Sequence, residues 1–145
     1  MTDFETRYAK HREAVAKANI LNKAVVFDAL AVAGILHVFV EFDGAGDSGQ
    51  IEGVLAHTDD KPIDLPMTTV NLHNAPWNGT KLTVEQTSLR EAVQDLCYGY
   101  LEQTHAGWEN NDGAYGEFTM DVAERRITLD FNGRYTETWS DNHTF

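Results

Sequence analysis

The chain contains a single cysteine, Cys97, and so lacks the means to form an internal disulfide. This excludes a small secreted domain that is held together by disulfide bonds. Cys97 occupies an apolar position in a predicted helix, and we expect it to be a small buried hydrophobic residue rather than a nucleophile. Residues 1–5 are acidic and polar, unlike a signal peptide, so we expect a cytoplasmic protein.

Long hydrophobic runs and basic residues are also scarce. The most apolar stretch, residues 24–40, is interrupted by Asp28, Gly34 and His37, and it is shorter than the ~20 apolar residues that span a bilayer. Eleven Lys and Arg residues stand against 23 Asp and Glu residues, which gives a formal net charge of −12. Because like charges repel, this charge argues against direct binding to nucleic acid and against docking on an anionic membrane.

The apolar residues that are present are numerous enough to build a core. The 145 residues are 42% hydrophobic and 10% aromatic, which excludes a disordered chain and suits a single domain. Charge is spread unevenly: residues 1–23 hold five basic and three acidic groups, net +2, and residues 24–145 hold six and 20, net −14. We therefore expect a basic helix, about residues 3–19, appended to an acidic body, residues 22–145.

A pair of helices is predicted at the N-terminal end of the chain. Residues 3–19 repeat apolar side chains at helical spacing. Asn22 is a suitable N-cap for a second helix over residues 23–33. Gly34 then suits the position after the helix end, where a left-handed backbone costs glycine nothing.

The rest of the chain predicts an α+β fold, in which an antiparallel sheet of hairpins packs against a long helix and the N-terminal helical pair. The long helix is expected to begin at the capping-box sequence Thr83-Val84-Glu85-Gln86 and to continue to about residue 104. Residues 123–126 and the pair Asn132-Gly133 are hairpin turns by composition. The predicted strands are residues 36–42, 50–57, 68–72, 115–122, 127–131 and 134–139.

Two acidic turns that contain glycine, residues 42–52 and 107–117, are the candidate functional regions. Their carboxylate and amide oxygens are ligands that calcium prefers, but an EF-hand spacing would place Trp108 at the first ligand position. Two alternatives stay open: a composite divalent-metal site, or turns whose Asn and Asp side chains bond local backbone amides. The candidate partner-binding residues are Asp43, Asp47, Glu52, Trp108, Glu109, Asn110, Asp112 and Glu117.

No assembled catalytic set is visible in the sequence. The tetrapeptide Gly46-Asp47-Ser48-Gly49 is similar to the nucleophile loop of trypsin-like proteases, but the largely helical segment before it leaves no room for the other two members of a triad. The six histidines show no paired ligand spacing, so a closed zinc site is not expected. We expect a protein that is not an enzyme and needs no cofactor.

Four stretches together resemble a small bacterial family of unknown function, over about residues 22–145. Its members are proteobacterial and are often associated with mobile genetic elements. The resemblance implies no activity and no catalytic residues, but it implies that the two acidic turns act together. The stretches are Phe27-Asp28-Ala29-Leu30, residues 44–52, residues 109–116, and Ile127-Thr128-Leu129-Asp130.

Three functions are compatible with these features. The first is an acidic binding protein from a mobile element or phage, which inhibits a host defence complex, as anti-CRISPR and anti-restriction proteins do, by occupying a basic, nucleic-acid-binding surface. The second is a divalent-metal-binding domain or small metal-dependent enzyme built from the two acidic turns. The third is a subunit of a homo-oligomer, for example a homodimer, that uses an open β edge or the apolar parts of Trp108 and Trp139.

Overall fold

The computed structural model describes residues 3–46, 48–59, 61–76, 81–110 and 112–145. Within these ranges the chain forms an α+β fold, which confirms the predicted class. No helix of the described residues is both long enough and apolar enough to span a membrane. The elements are α1 (Asp3–Val32), β1 (His37–Ala45), β2 (Ser48–Thr58), β3 (Lys61–Ile63), β4 (Thr69–Asn74), β5 (Thr83–Ser88), α2 (Leu89–His105), β6 (Ala114–Asp121) and β7 (Arg126–Gly133).

α1 is one continuous helix, so the prediction of two helices with Asn22 as an N-cap was wrong. Asn22 is buried in the middle of α1. Its side-chain nitrogen donates to the carbonyl of His73 at 2.9 Å, and its side-chain oxygen accepts from the amide of His73 at 2.7 Å. Asparagine disfavours a helix when its side chain bonds the nearby backbone. Here the side chain bonds strand β4 instead, and the helix continues.

The C-terminal end of α1 forms as predicted. Gly34 has a φ of +74°, in the left-handed region. The amide of Ile35 donates to the carbonyl of Leu30 at 3.1 Å, and the amide of Gly34 donates to that of Ala31 at 3.0 Å. This pair of bonds is the Schellman arrangement, which needs glycine at this position and sends the chain into β1.

α2 begins later than predicted. Residues 83–88 form strand β5, which pairs with β4, so the capping box at Thr83–Gln86 was wrong. The N-cap is Ser88, whose hydroxyl accepts from the amide of Glu91 at 3.1 Å. Ser88 and Glu91 have the same three-residue spacing as the predicted pair. The helix therefore starts later because residues 83–88 pair with β4, a strand that lies earlier in the chain.

Five strands form one antiparallel sheet in the order β3-β2-β1-β6-β7, and β4 and β5 form a separate pair. Two of the three predicted hairpins, β1–β2 and β6–β7, are confirmed. The third, at Asn132-Gly133, was wrong, because no strand follows β7 in the described residues. The first is more regular than its turn-like composition predicts, because β1 continues to Ala45 and β2 begins at Ser48. The short strand β3 was not predicted, and its Pro62 suits the sheet edge, where no neighbour needs the missing N–H.

The strand predicted over residues 134–139 was wrong, since residues 134–145 have no regular secondary structure. Arg134 bonds Asp43 of β1, and Thr136 bonds Asp112. These contacts direct the chain across the end of the sheet, so it does not return beside β7.

The core lies between the two helices and one face of the five-stranded sheet. Val38, Val40 and Phe42 of β1 are buried there, together with Phe118 and Met120 of β6. α1 and α2 supply the opposing apolar side chains, and Cys97 is buried among them as predicted. The alternate side chains of β1 and its neighbours lie on the other face of the sheet, which we call the open face.

Candidate functional site

Three carboxylates stand in a row across the open face. Glu41 of β1 lies directly opposite Glu117 of β6, and Glu117 lies directly opposite Asp130 of β7. Like charges at directly opposite positions destabilise an antiparallel pair. The row therefore costs folding stability, and packing gives no reason for it.

A β-bulge adds a fourth carboxylate beside this row. The pairing of β1 with β2 shifts between Glu41 and Phe42, so that Glu52 is the extra residue of β2. A bulge of this kind redirects a side chain. Together these groups border a groove of about 420 Å³, which we call the acidic groove. Its lining residues are Glu41, Phe42, Asp43, Glu52, Tyr115, Gly116, Glu117, Asp130 and Asn132.

One carboxylate of the acidic groove is already neutralised. Arg134 donates to Asp43 through both terminal nitrogens, at 2.8 and 3.2 Å, and its guanidinium lies 4.7 Å from the centre of the Tyr115 ring. The hydrogen bond from Arg134, with its positive charge, lowers the pKa of Asp43 and raises the pKa of Arg134. Among the described residues, the other four carboxylates of the groove form no salt bridge.

Trp108 and Glu109 lie on the opposite side of the sheet from the acidic groove. The Trp108 ring meets Phe42 edge to face, with ring centres 5.3 Å apart, and Phe42 points into the core. The Trp108 ring and the Glu109 side chain cover Gly44 and Gly49, the paired glycines of the β1–β2 hairpin. The two acidic turns are therefore in contact, and Trp108 is a half-buried packing residue.

Asn110 makes a contact within the second turn, and Asp112 makes one with the C-terminal segment. The carbonyl of Asn110 accepts from the amide of Gly113 at 3.0 Å, and Asp112 accepts from the hydroxyl of Thr136 at 2.8 Å. Gly113 has a φ of +79°, and a side chain there would overlap the carbonyl of Gly44. These contacts hold the turn against β1. Asp47, the last of the predicted residues, lies outside the described residues.

The structure thus brings together only part of the predicted set. Asp43, Glu52 and Glu117 share the acidic groove, whereas Trp108, Glu109, Asn110 and Asp112 hold the second turn in place. Sequence reasoning did not assign Glu41 or Asp130 to the site. A signal for Asp130 was available, because counting outward from the 123–126 turn pairs it with Glu117.

The metal hypothesis gains no geometric support from the described residues. Among them, no group of three or more His, Cys, Asp or Glu side chains is arranged to hold a metal ion. A divalent-metal site in the acidic turns therefore stays a prediction. Burial raises the pKa of the Cys97 thiol, which removes it further from nucleophilic chemistry.

A family model matches residues 18–145, and its description is a family of unknown function, DUF6878. The match begins four residues before the expected boundary at residue 22 and reaches the last residue, as expected. Its first residue lies within α1, so the more basic beginning of that helix is outside the match. No curated protein and no solved structure matches the chain.

Proposed function

We propose that this chain, which belongs to the family of unknown function DUF6878, is a non-enzymatic binding protein whose acidic groove docks on a basic surface of a partner protein. The observation that carries the proposal is the row formed by Glu41, Glu117 and Asp130. Local rules of sheet stability are commonly broken at functional sites, where a partner supplies what the fold lacks. Basic side chains of a partner would be attracted to these carboxylates and would offset the repulsion between them.

The charge of the whole chain supports the same partner chemistry. A formal net charge of −12 attracts a basic protein over a long range and raises the association rate, with a strong dependence on ionic strength. The groove is lined mainly by carboxylates and is open to solvent at Glu41 and Asp43, unlike the enclosed apolar pockets that bind small molecules. A protein surface fits this shape better than a small ligand does.

A double variant, Glu41→Gln with Glu117→Gln, tests the proposal. It removes both like-charge contacts of the row while keeping side chains of similar size. We expect the free energy of unfolding to rise by about 0.2–1 kcal/mol for each contact removed. We also expect weaker binding to an immobilised Lys- and Arg-rich peptide, measured by surface plasmon resonance, and a flatter dependence of binding on salt.

The matched control is Glu124→Gln with Glu137→Gln, which changes the net charge equally at exposed positions outside the acidic groove. If the control weakens peptide binding as much as the groove variant does, only net charge matters and the groove is not the site. If the groove variant binds the peptide as the natural chain does, the proposal is wrong.

A narrower form of the proposal concerns the partner. It holds that the chain comes from a bacterial mobile element or phage and acts in the cytoplasm as an inhibitor of a host defence complex, of anti-CRISPR or anti-restriction type. The small size and the located negative charge support it, because an acidic face can compete with phosphates for a basic nucleic-acid-binding surface. The test is DNA cleavage by purified CRISPR or restriction nucleases with saturating protein added. Unchanged cleavage throughout would count against the narrower form and leave the broader one standing.

A further inference from the structure

The two edges of the five-stranded sheet differ greatly in length. One edge is β3, which has three residues and contains Pro62. The other edge is β7, which has eight residues and pairs, within the described residues, only with β6. A long unpaired edge strand offers backbone N–H and C=O groups to another strand, and proteins commonly shield such edges.

The direction of these free backbone groups follows from the hydrogen-bond pattern. The amide of Arg134 donates to the carbonyl of Gly113 at 2.9 Å, and the ladder continues in register from that pair. In an antiparallel pair, backbone groups alternate between the two sides of the strand. Even-numbered residues of β7 therefore bond β6, and the backbone groups of Ile127, Leu129 and Phe131 point to the free edge.

The side chains on the core face of β7 are incompletely covered. Ile127, Leu129 and Phe131 are half-buried, whereas Phe118 and Met120 of the neighbouring strand are fully buried. A further strand beside β7 would cover the exposed parts of Ile127 and Leu129. The edge thus offers both backbone groups and apolar surface to a partner strand.

We propose that β7 pairs with β7 of a second copy of this chain, antiparallel and centred on Thr128, to form a continuous ten-stranded sheet. In this register Ile127 lies opposite Leu129 of the second copy, so the outward backbone groups of both strands meet. On the open face, Arg126 lies opposite Asp130 of the second copy. The twofold symmetry produces this Arg126–Asp130 contact twice. The two Thr128 side chains face each other between the two contacts.

Charge selects this register from its neighbours. Centring the pair on Asp130 would set two carboxylates against each other, and centring it on Leu129 would leave Arg126 opposite Asn132. Opposite charges and Thr–Thr pairs at facing positions are favourable in antiparallel sheets, and facing like charges are not. Within one chain, Arg126 has Asp121 as its strand neighbour and Asp130 has Glu117. Asp130 therefore has no cation opposite it within its own chain, and Arg126 of the second copy supplies one.

This inference depends on the edge of the sheet and not on a basic partner protein, although it shares one residue, Asp130, with the acidic groove. It places the grooves of two copies on the same side of one extended sheet. A dimer without peptide binding, or peptide binding by a monomer, would separate the two ideas.

A single cysteine at the symmetry centre tests the register. Thr128→Cys places two thiols at facing positions with Cβ atoms roughly 4.5–5.5 Å apart, near the range that a disulfide needs. The native Cys97 is buried and does not interfere. We expect mild oxidation to give a covalent dimer on non-reducing gels. The matched control is Thr119→Cys, at the position opposite Thr128 but inside the sheet, which is expected to stay monomeric on the gel.

Reversal of the charges tests the same contact without a covalent bond. Arg126→Asp alone and Asp130→Arg alone each place like charges opposite each other twice across the interface. We expect each to weaken dimerisation of the full chain by about tenfold or more, measured by analytical ultracentrifugation. The double variant restores opposite charges and is expected to recover most of the affinity. Thermal unfolding by circular dichroism shows whether each variant is folded.

Three results would overturn the proposal. They are a natural chain that remains monomeric up to millimolar concentration, a Thr128→Cys variant that crosslinks no better than its control, and a dimer that both single variants leave intact. A double variant that associates no better than the single variants would exclude the Arg126–Asp130 contact and with it the register.

Discussion

The contact between Trp108 and the β1–β2 hairpin allows a sharp stability prediction. A β-carbon added to Gly49 would lie 2.5 Å from Cη2 of Trp108 and 2.8 Å from the β-carbon of Glu109. Carbon atoms in contact are normally about 3.5–4.0 Å apart. Gly49→Ala therefore requires the indole ring, or the strand beneath it, to move by roughly 1 Å.

The expected magnitude is the difference between two effects. Overpacking of a well-packed site typically costs about 1–3 kcal/mol. Replacing glycine by alanine also restricts the unfolded chain, which stabilises the folded protein by about 0.4–1 kcal/mol. We expect Gly49→Ala to lower the free energy of unfolding by about 1–2 kcal/mol, which corresponds to a fall in Tm of roughly 3–6 °C for a chain of this size.

Gly53→Ala is the matched control, because it makes the same substitution in the same strand. No described atom lies within 4 Å of a β-carbon at Gly53. The unfolded-state effect therefore acts there without overpacking, and stability should be unchanged or should rise by up to about 1 kcal/mol. The difference between the two variants isolates the contact with Trp108.

Urea unfolding followed by circular dichroism is the assay, since it does not depend on tryptophan fluorescence. In a Trp108→Leu background the ring is absent, and the cost of Gly49→Ala should fall by at least half, as a double-mutant cycle measures. Equal effects of Gly49→Ala and Gly53→Ala would refute the reasoning. So would an undiminished cost of Gly49→Ala in the Trp108→Leu background.

Two further predictions concern charge and capping. Because Arg134 lowers the pKa of Asp43, the pair stabilises the protein above the ordinary carboxyl pKa, and this contribution is lost as the pH falls through the lowered value. Arg134→Gln should return the pKa of Asp43 toward 3.8, measured by NMR titration of that carboxyl. Ser88→Ala should cost about 1 kcal/mol of stability as a lost N-cap, while Thr83→Ala should cost less than half as much in the same urea assay. The reverse order would restore the capping box at residue 83.

The acidic groove shows how far a sequence can locate a candidate site. The acidic composition and the positions of Asp43, Glu52 and Glu117 were readable directly. The sequence did not show that Trp108 and Glu109 lie apart from these carboxylates. The two sets belong to the same turns, and only the folded sheet places them on opposite faces. Glu41 and Asp130 joined the site for the same reason, since strand register decides which carboxylates become neighbours.

The sequence by itself determined the features that depend on residues close together in the chain. These are the α+β class, the end of α1 at Gly34, the β1–β2 and β6–β7 hairpins and the burial of Cys97. Each of these features follows from the periodicity of apolar residues or from the backbone preference of a single residue. In these segments no long-range contact opposes that local preference.

Only the tertiary structure decided the features that join distant segments. α1 continues through Asn22 because β4 accepts its hydrogen bonds, and residues 83–88 form a strand because β4 lies beside them. The segment 134–145 leaves the sheet because Arg134 binds Asp43. In each case the local secondary-structure preference is about 1 kcal/mol or less, and the long-range contact that opposes it is of equal or greater strength. The long-range contact prevailed because only the folded chain brings its two partners together.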